Sequence, residues 1–157
     1  MRKMEIELGL HSVADFIAYH ISDASLDIGE EHDTSNIHRG FHDCGSKHCA
    51  ENLAEKYRIS MQDILGHSLP SRLNSLFVCE REYVNYWHRH ILKNRSVSRV
   101  QIYKVRLTGN LFGTFADYLK FDKYWNPQNQ YPPQEKEGLF EGKYIVEDIC
   151  NINDFKF

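Results

Sequence analysis

The stretch Arg99–Leu107, RVQIYKVRL, constrains the fold more than any other segment of the chain. It is rich in β-branched residues, which suit a pleated, half-buried surface, and it runs into Thr108-Gly109-Asn110, a turn signal. The elements around it set the class. Asp15–Ser22 (DFIAYHIS) reads as a first strand, and the polar, Gly-punctuated segment after it as a long loop. Residues 49–66 have helical periodicity, with Ala50, Leu53, Ala54, Tyr57, Met61, Ile64 and Leu65 on one face and Gly66 as the stop. Pro70 breaks the chain before a short strand at Ser75–Cys79. A second helix follows over 80–92, with Val84, Trp87 and Ile91 in register. Residues 115–121 suggest a short helix, and 125–133 a Pro- and amide-rich loop leading to a final strand at 143–149. Helices do not alternate regularly with strands, which favours a mixed α+β domain over a doubly wound sheet. One domain over 1–157 is an ordinary size.

Composition narrows the function classes. The chain is 41% hydrophobic and 26% charged, typical of a globular protein. Nine Phe, nine Tyr and two Trp favour strands and stacking pockets. A net charge of −3 gives no general affinity for nucleic acid. The distribution is less even: Arg89, Lys93, Arg95, Arg99, Lys104 and Arg106 fall in one stretch with no acid. Such a stretch is most often the solvated face of a helix and a strand, and its alternative use is a phosphate-facing, nucleic-acid-binding surface. No apolar run approaches the roughly 18 residues of a membrane span. The start of the chain lacks the pattern of a secretory signal. Four cysteines outside a secretory setting point to reduced thiols in a cytosol.

Chemistry concentrates in three segments. Glu135 and Glu137, spaced i and i+2 at the entrance to the last strand, lie on one face of an extended chain and demand a cation opposite. Tyr19 and His20 end the first strand and face opposite sides of it. Arg72 and Ser75 lead the mid-chain strand in the sequence SRLNSLF. Taken singly, each has a plainer use: solvent-facing acids, a buried satisfied histidine, a surface ion-pair arginine, a strand-start serine.

Taken together and in order, the YHIS, SRLNSLF and EKEGLFEGKYIV segments resemble the ADP-ribosyltransferase superfamily. That family carries a basic or histidine residue on a first strand, a serine-led strand after a helix, and a Glu-x-Glu turn entering a late strand. The likeness spans about 130 residues, most of the chain, and is nearest to bacterial and phage members. It implies two small packed β-sheets around an NAD+ cleft, with flanking helices. It implies transfer of ADP-ribose from NAD+ to a protein or nucleic-acid acceptor, with release of nicotinamide. By this likeness Glu137 stabilises the oxocarbenium-like ribose, Glu135 orients or deprotonates the acceptor, and Ser75 braces Glu137. His20, or its neighbour Tyr19, contacts the adenosine ribose, Arg72 pairs with the pyrophosphate, and Phe77 and Tyr83 stack on nicotinamide. A monomer in a bacterial or host cytosol, serving as toxin, effector or defence protein, is the implied setting. The sequence departs from the pattern at Gly138, where an apolar residue is usual, and in lacking an arginine on the first strand. Those departures leave room for an NAD+ glycohydrolase or an inactive relative.

A separate reading rests on His38, His42, Cys44, His48 and Cys49, which are ligand types that zinc prefers. Their crowding into one short segment departs from the paired spacing of structural zinc sites. His11 or His67 would have to complete such a site, and the product would be a zinc-stabilised interaction module.

Overall fold

A computed structural model describes residues 5–37, 50–94, 99–127 and 135–155. Five strands and two α-helices occur among them, besides five short 3-10 helices: β1 (Gly9–Ser22), β2 (Glu31–Asp33), α1 (Ala50–Leu65), β3 (Leu76–Val78), α2 (Val84–Asn94), β4 (Gln101–Phe115) and β5 (Lys136–Cys150). All five strands belong to one sheet, with β4 central between β1 and β5, and with β2 and β3 both on the outer edge of β5. Every pairing between these strands is antiparallel. The protein is thus mixed α+β.

Three strands bend along a single line. Gly109 of β4 pairs with Gly142 of β5, and both glycines have positive φ. A Cβ on Gly109 would lie 2.4 Å from the Glu141 carbonyl oxygen, and one on Gly142 would lie 2.6 Å from that of Thr108. Only glycine lets the two backbones approach this closely. On the other side of β4, β1 carries a bulge between Val13 and Phe16, where Asp15 adopts φ 51 and its N–H donates to Thr108 Oγ1. The bulge and the glycine pair together turn the sheet. The Thr-Gly-Asn sequence is therefore a crossing inside a 15-residue strand and not its end.

The bend also corrects the expectation of two small sheets. β1, β4 and β5 are long enough to serve both halves, so one continuous sheet takes that role. β3 pairs with the first half of β5, then reaches β1 through reciprocal hydrogen bonds between Tyr19 and Cys79, of 3.0 and 2.8 Å. This closes a circuit β1–β4–β5–β3. The largest apolar cluster draws on both halves: Ala18, Val105, Leu107, Tyr144 and Val146 from one, Leu111 and Phe140 from the other, with Leu76 and Val78 of β3.

The helices cover two further clusters. α1 presents Ala54, Tyr57, Met61 and Leu65 to Leu69, Phe112, Tyr124, Trp125 and Leu139. Ile64 is 73% exposed because it lies at the rim of the helical stripe. Gly66, at φ +76, ends α1 as the sequence predicts. α2 buries Val84, with Trp87 and Ile91 packing against Tyr19, Ile21, Ile102 and Phe155. No helix among the described residues is long and apolar enough to cross a membrane.

Candidate functional site

Of the two glutamates spaced i and i+2, Glu137 has Arg72 as its cation. Glu137 enters β5 on the face that packs beneath α1, and it is only 5% exposed. Arg72 Nη1 donates to Glu137 Oε1 at 2.6 Å, and the Tyr124 hydroxyl donates to the same oxygen at 2.5 Å. Arg72 Nη1 also reaches the Tyr124 oxygen at 2.5 Å. The guanidinium lies 4.6 Å from the centroid of the Phe77 ring and 5.5 Å from that of Tyr124. A buried carboxylate is thus held by a charge-assisted pair whose cation is itself wedged between aromatic faces. Burial pushes the Tyr124 phenol well above its ordinary pKa, with Glu137 adding to the shift and Arg72 opposing it. The phenol therefore stays protonated and serves as a donor.

α1 builds the support. The Glu55 carboxylate, itself buried, accepts from the Arg72 backbone N–H at 2.9 Å and from Ser71 Oγ at 3.0 Å. Its second oxygen accepts from Arg58 Nε at 2.8 Å. Arg58 continues to Gln62 Oε1, which takes the Leu69 N–H. About two turns of helix, from Glu55 to Gln62, therefore grip the 69–75 connection from which Arg72 projects. Ser75 Oγ donates to the Ser71 carbonyl at 2.7 Å. Through this bond Ser75 acts on the turn that carries Arg72. Tyr124 is fixed by the Thr114 hydroxyl on its carbonyl, and by its neighbour Trp125, whose indole N–H donates to the Ala54 carbonyl at 2.6 Å.

The other expected site residues fall around this centre. His20 Nδ1 lies 2.7 Å from the Phe77 carbonyl, which can only accept, so Nδ1 carries the proton. The imidazole stacks on Tyr103. His20 thus meets the backbone of the residue whose ring faces Arg72. Tyr19 points the other way, edge-on to Phe155 in the α2 cluster. Of the two side chains it is therefore that of His20 which meets β3, at the Phe77 carbonyl. Tyr83 packs in the α2 cluster as well, whereas Phe77 packs in the α1 cluster. The structure does not gather those two rings into one wall. Arg72, expected at a pyrophosphate, is instead the partner of Glu137.

Glu135 is separate from Glu137 in its contacts. Its Oε2 accepts from the Tyr86 hydroxyl at 2.5 Å, and its N–H donates to Asp117 Oδ2 at 2.9 Å. Between the two acids, Lys136 forms an ion pair with Glu80. Glu80 also accepts the Ile6 backbone N–H at 2.6 Å. Tyr124, Glu55, Tyr86 and Lys136 were not predicted from the sequence. None sits in a local pattern that marks a site, and each earns its place through partners far along the chain.

The alternative readings meet the structure unevenly. Arg106 pairs with Glu147, and Lys104 stands opposite Asp148 on β5, so acids face the strand half of the basic stretch. Arg89 and Lys93 are exposed on α2, and Arg95 lies outside the described residues. His38, His42, Cys44, His48 and Cys49 also lie outside them. Among the described residues no group of three or more His, Cys, Asp or Glu is placed to hold a metal ion. His11 and His67 bond to the nearby carbonyls of Gly9 and Ser68.

Fold and site together define an α+β protein whose single bent antiparallel sheet carries a buried Arg–Glu–Tyr cluster at one strand entrance. A family model described as a protein of unknown function (DUF2441) matches residues 9–152. That match takes in β1 through β5, and the chain belongs to this family. None of the curated proteins compared with the chain matches it.

Proposed function

We propose that this protein is a mono-ADP-ribosyltransferase that takes NAD+ as substrate, passes ADP-ribose to a protein or nucleic-acid acceptor, and releases nicotinamide. One observation carries the reading. Glu137 is a buried carboxylate whose Oε1 is held by both Arg72 and Tyr124. Cleavage of the nicotinamide–ribose bond leaves positive charge on the ribose ring. A fixed anion stabilises that charge most where water is excluded, because the field is not screened and no reorganisation is needed. Oε2 accepts the ribose 2′-hydroxyl, as carboxylates do in glycoside hydrolysis. Arg72 holds the carboxylate in place through the 2.6 Å bond to Oε1. The convergence of His20, Phe77 and Arg72 on β3 supports a dinucleotide lying across that strand. Acids opposite Lys104 and Arg106 make the nucleic-acid-binding reading the poorer one.

The test measures nicotinamide release from labelled NAD+ by the wild type and by Glu137→Gln, with circular dichroism confirming that both are folded. Loss of this charge is expected to slow release about a hundredfold, within the range seen when such electrostatic stabilisation is removed. Equal turnover by both folded proteins would remove Glu137 from the mechanism.

A further inference from the structure

We infer that Tyr86 is the positioning residue for Glu135, and that it sets how ADP-ribose divides between an acceptor and water. This rests on the transferase reading above. α2 lies against the entrance to β5 and makes two hydrogen bonds there. Tyr86 donates to Glu135 Oε2 at 2.5 Å, and Trp87 Nε1 donates to the Lys136 carbonyl at 2.8 Å. His90, one helical turn on, stacks on Tyr86 with its Nδ1 3.5 Å from the phenol oxygen. Trp87 closes the group edge-on to both rings.

The backbone of Glu135 is fixed as well. Its carbonyl accepts the Ala116 N–H and its N–H donates to Asp117. A glutamate side chain has three rotatable bonds, so a fixed backbone alone does not aim the carboxylate. Tyr86 supplies the missing constraint. Burial, the bond to Glu135 and the charges of Glu135 and Asp117 all push its phenol upward in pKa, so it donates at every physiological pH.

The contact bears on the transfer step as follows. As the C1′–nitrogen bond breaks, its electron pair leaves with nicotinamide, which becomes neutral. The acceptor atom bonds to C1′ and its proton passes to Glu135 Oε1, since Oε2 holds the Tyr86 hydrogen bond. Water needs no such aiming, because it is small and abundant enough to reach the cation from many directions. Release of nicotinamide depends on Glu137, whose contacts Tyr86 does not share. Removing the Tyr86 hydroxyl therefore impairs capture by the acceptor and spares cleavage.

The experiment uses the full chain with labelled NAD+ and two probe acceptors, agmatine for a guanidinium and 2′-deoxyguanosine for a base. It compares the ratio of adduct to free ADP-ribose in the wild type, Tyr86→Phe and Trp87→Phe. Tyr86→Phe is expected to lower the ratio at least about tenfold, with nicotinamide release within about twofold of wild type. Trp87→Phe loosens the same helix–strand contact without touching Glu135, and is expected to leave the ratio unchanged. An equal ratio in wild type and Tyr86→Phe, at zero or any other value, overturns the role, as does an equal fall in both variants. A second readout is independent of NAD+. The ultraviolet titration of Tyr86, taken as the difference from Tyr86→Phe, is expected to move to lower pH in Glu135→Gln. An unmoved titration overturns the contact itself. A wild type that releases no nicotinamide defeats the transferase reading instead, and leaves the titration to judge the Tyr86–Glu135 pair.

Discussion

Glu137 shows how one residue acquires its chemistry from partners that the sequence places far away. Arg72 is 65 positions distant and Tyr124 is 13. In water a surface carboxylate gains little from such an ion pair, but here both charged side chains are below a tenth exposed. Desolvation of each is offset only while the other is present. Arg72→Met is therefore expected to cost about 3–5 kcal/mol of stability, because it leaves an uncompensated buried carboxylate. The double variant Arg72→Met/Glu137→Leu removes both charges and is expected to recover much of that loss. Urea denaturation of the two single variants and the double tests this: a double-variant loss equal to the sum of the singles would mean that the pair is not coupled. At this scale the sequence was informative about half of the site. The i and i+2 spacing of Glu135 and Glu137 pointed to a cation, but not to which one. Tyr124 carried no signal, because a tyrosine beside a Pro- and amide-rich segment looks like any other surface-loop aromatic until the fold aims it at a carboxylate.

The elements were legible where local periodicity decides them. α1 was read within a residue at each end, since its apolar stripe and Gly66 act locally. The apolar face of α2 was likewise read from Val84, Trp87 and Ile91. β2 was missed because Glu31, His32 and Asp33 are polar, and only their long-range pairing with 143–145 makes them a strand. The start of β1 was missed for a similar reason. β4 was cut short because glycine signals both a tight turn and a close approach of two backbones. The register distinguishes the two: Gly109 faces Gly142, and a side chain at either meets main chain that cannot swing away. Gly109→Ala and Gly142→Ala are each expected to destabilise by about 2 kcal/mol or more, in the range of overpacked cores. Gly66→Ala meets open space and is expected to cost only about 1 kcal/mol, for its left-handed backbone. Thermal midpoints rank the three. A Gly109→Ala protein as stable as Gly66→Ala would remove the crossing as the cause of the bend.

For the whole molecule, the bend and the Tyr19–Cys79 bridge turn a sheet of long strands into a folded one that surrounds its largest apolar cluster. That closure sets His20 of β1 against the backbone of Phe77, and so brings the first strand to the side of the Arg72–Glu137 pair. The order of motifs along the chain did not anticipate that Arg72 would belong to Glu137. The most direct measurement is a crystal structure of the protein with a non-cleavable NAD+ analogue. The nicotinamide ribose is expected beside Glu137, its 2′-hydroxyl within about 3 Å of Oε2, a normal hydrogen-bond length. An analogue bound with that ribose away from Glu137, or no binding at concentrations that saturate other NAD+ sites, would contradict it.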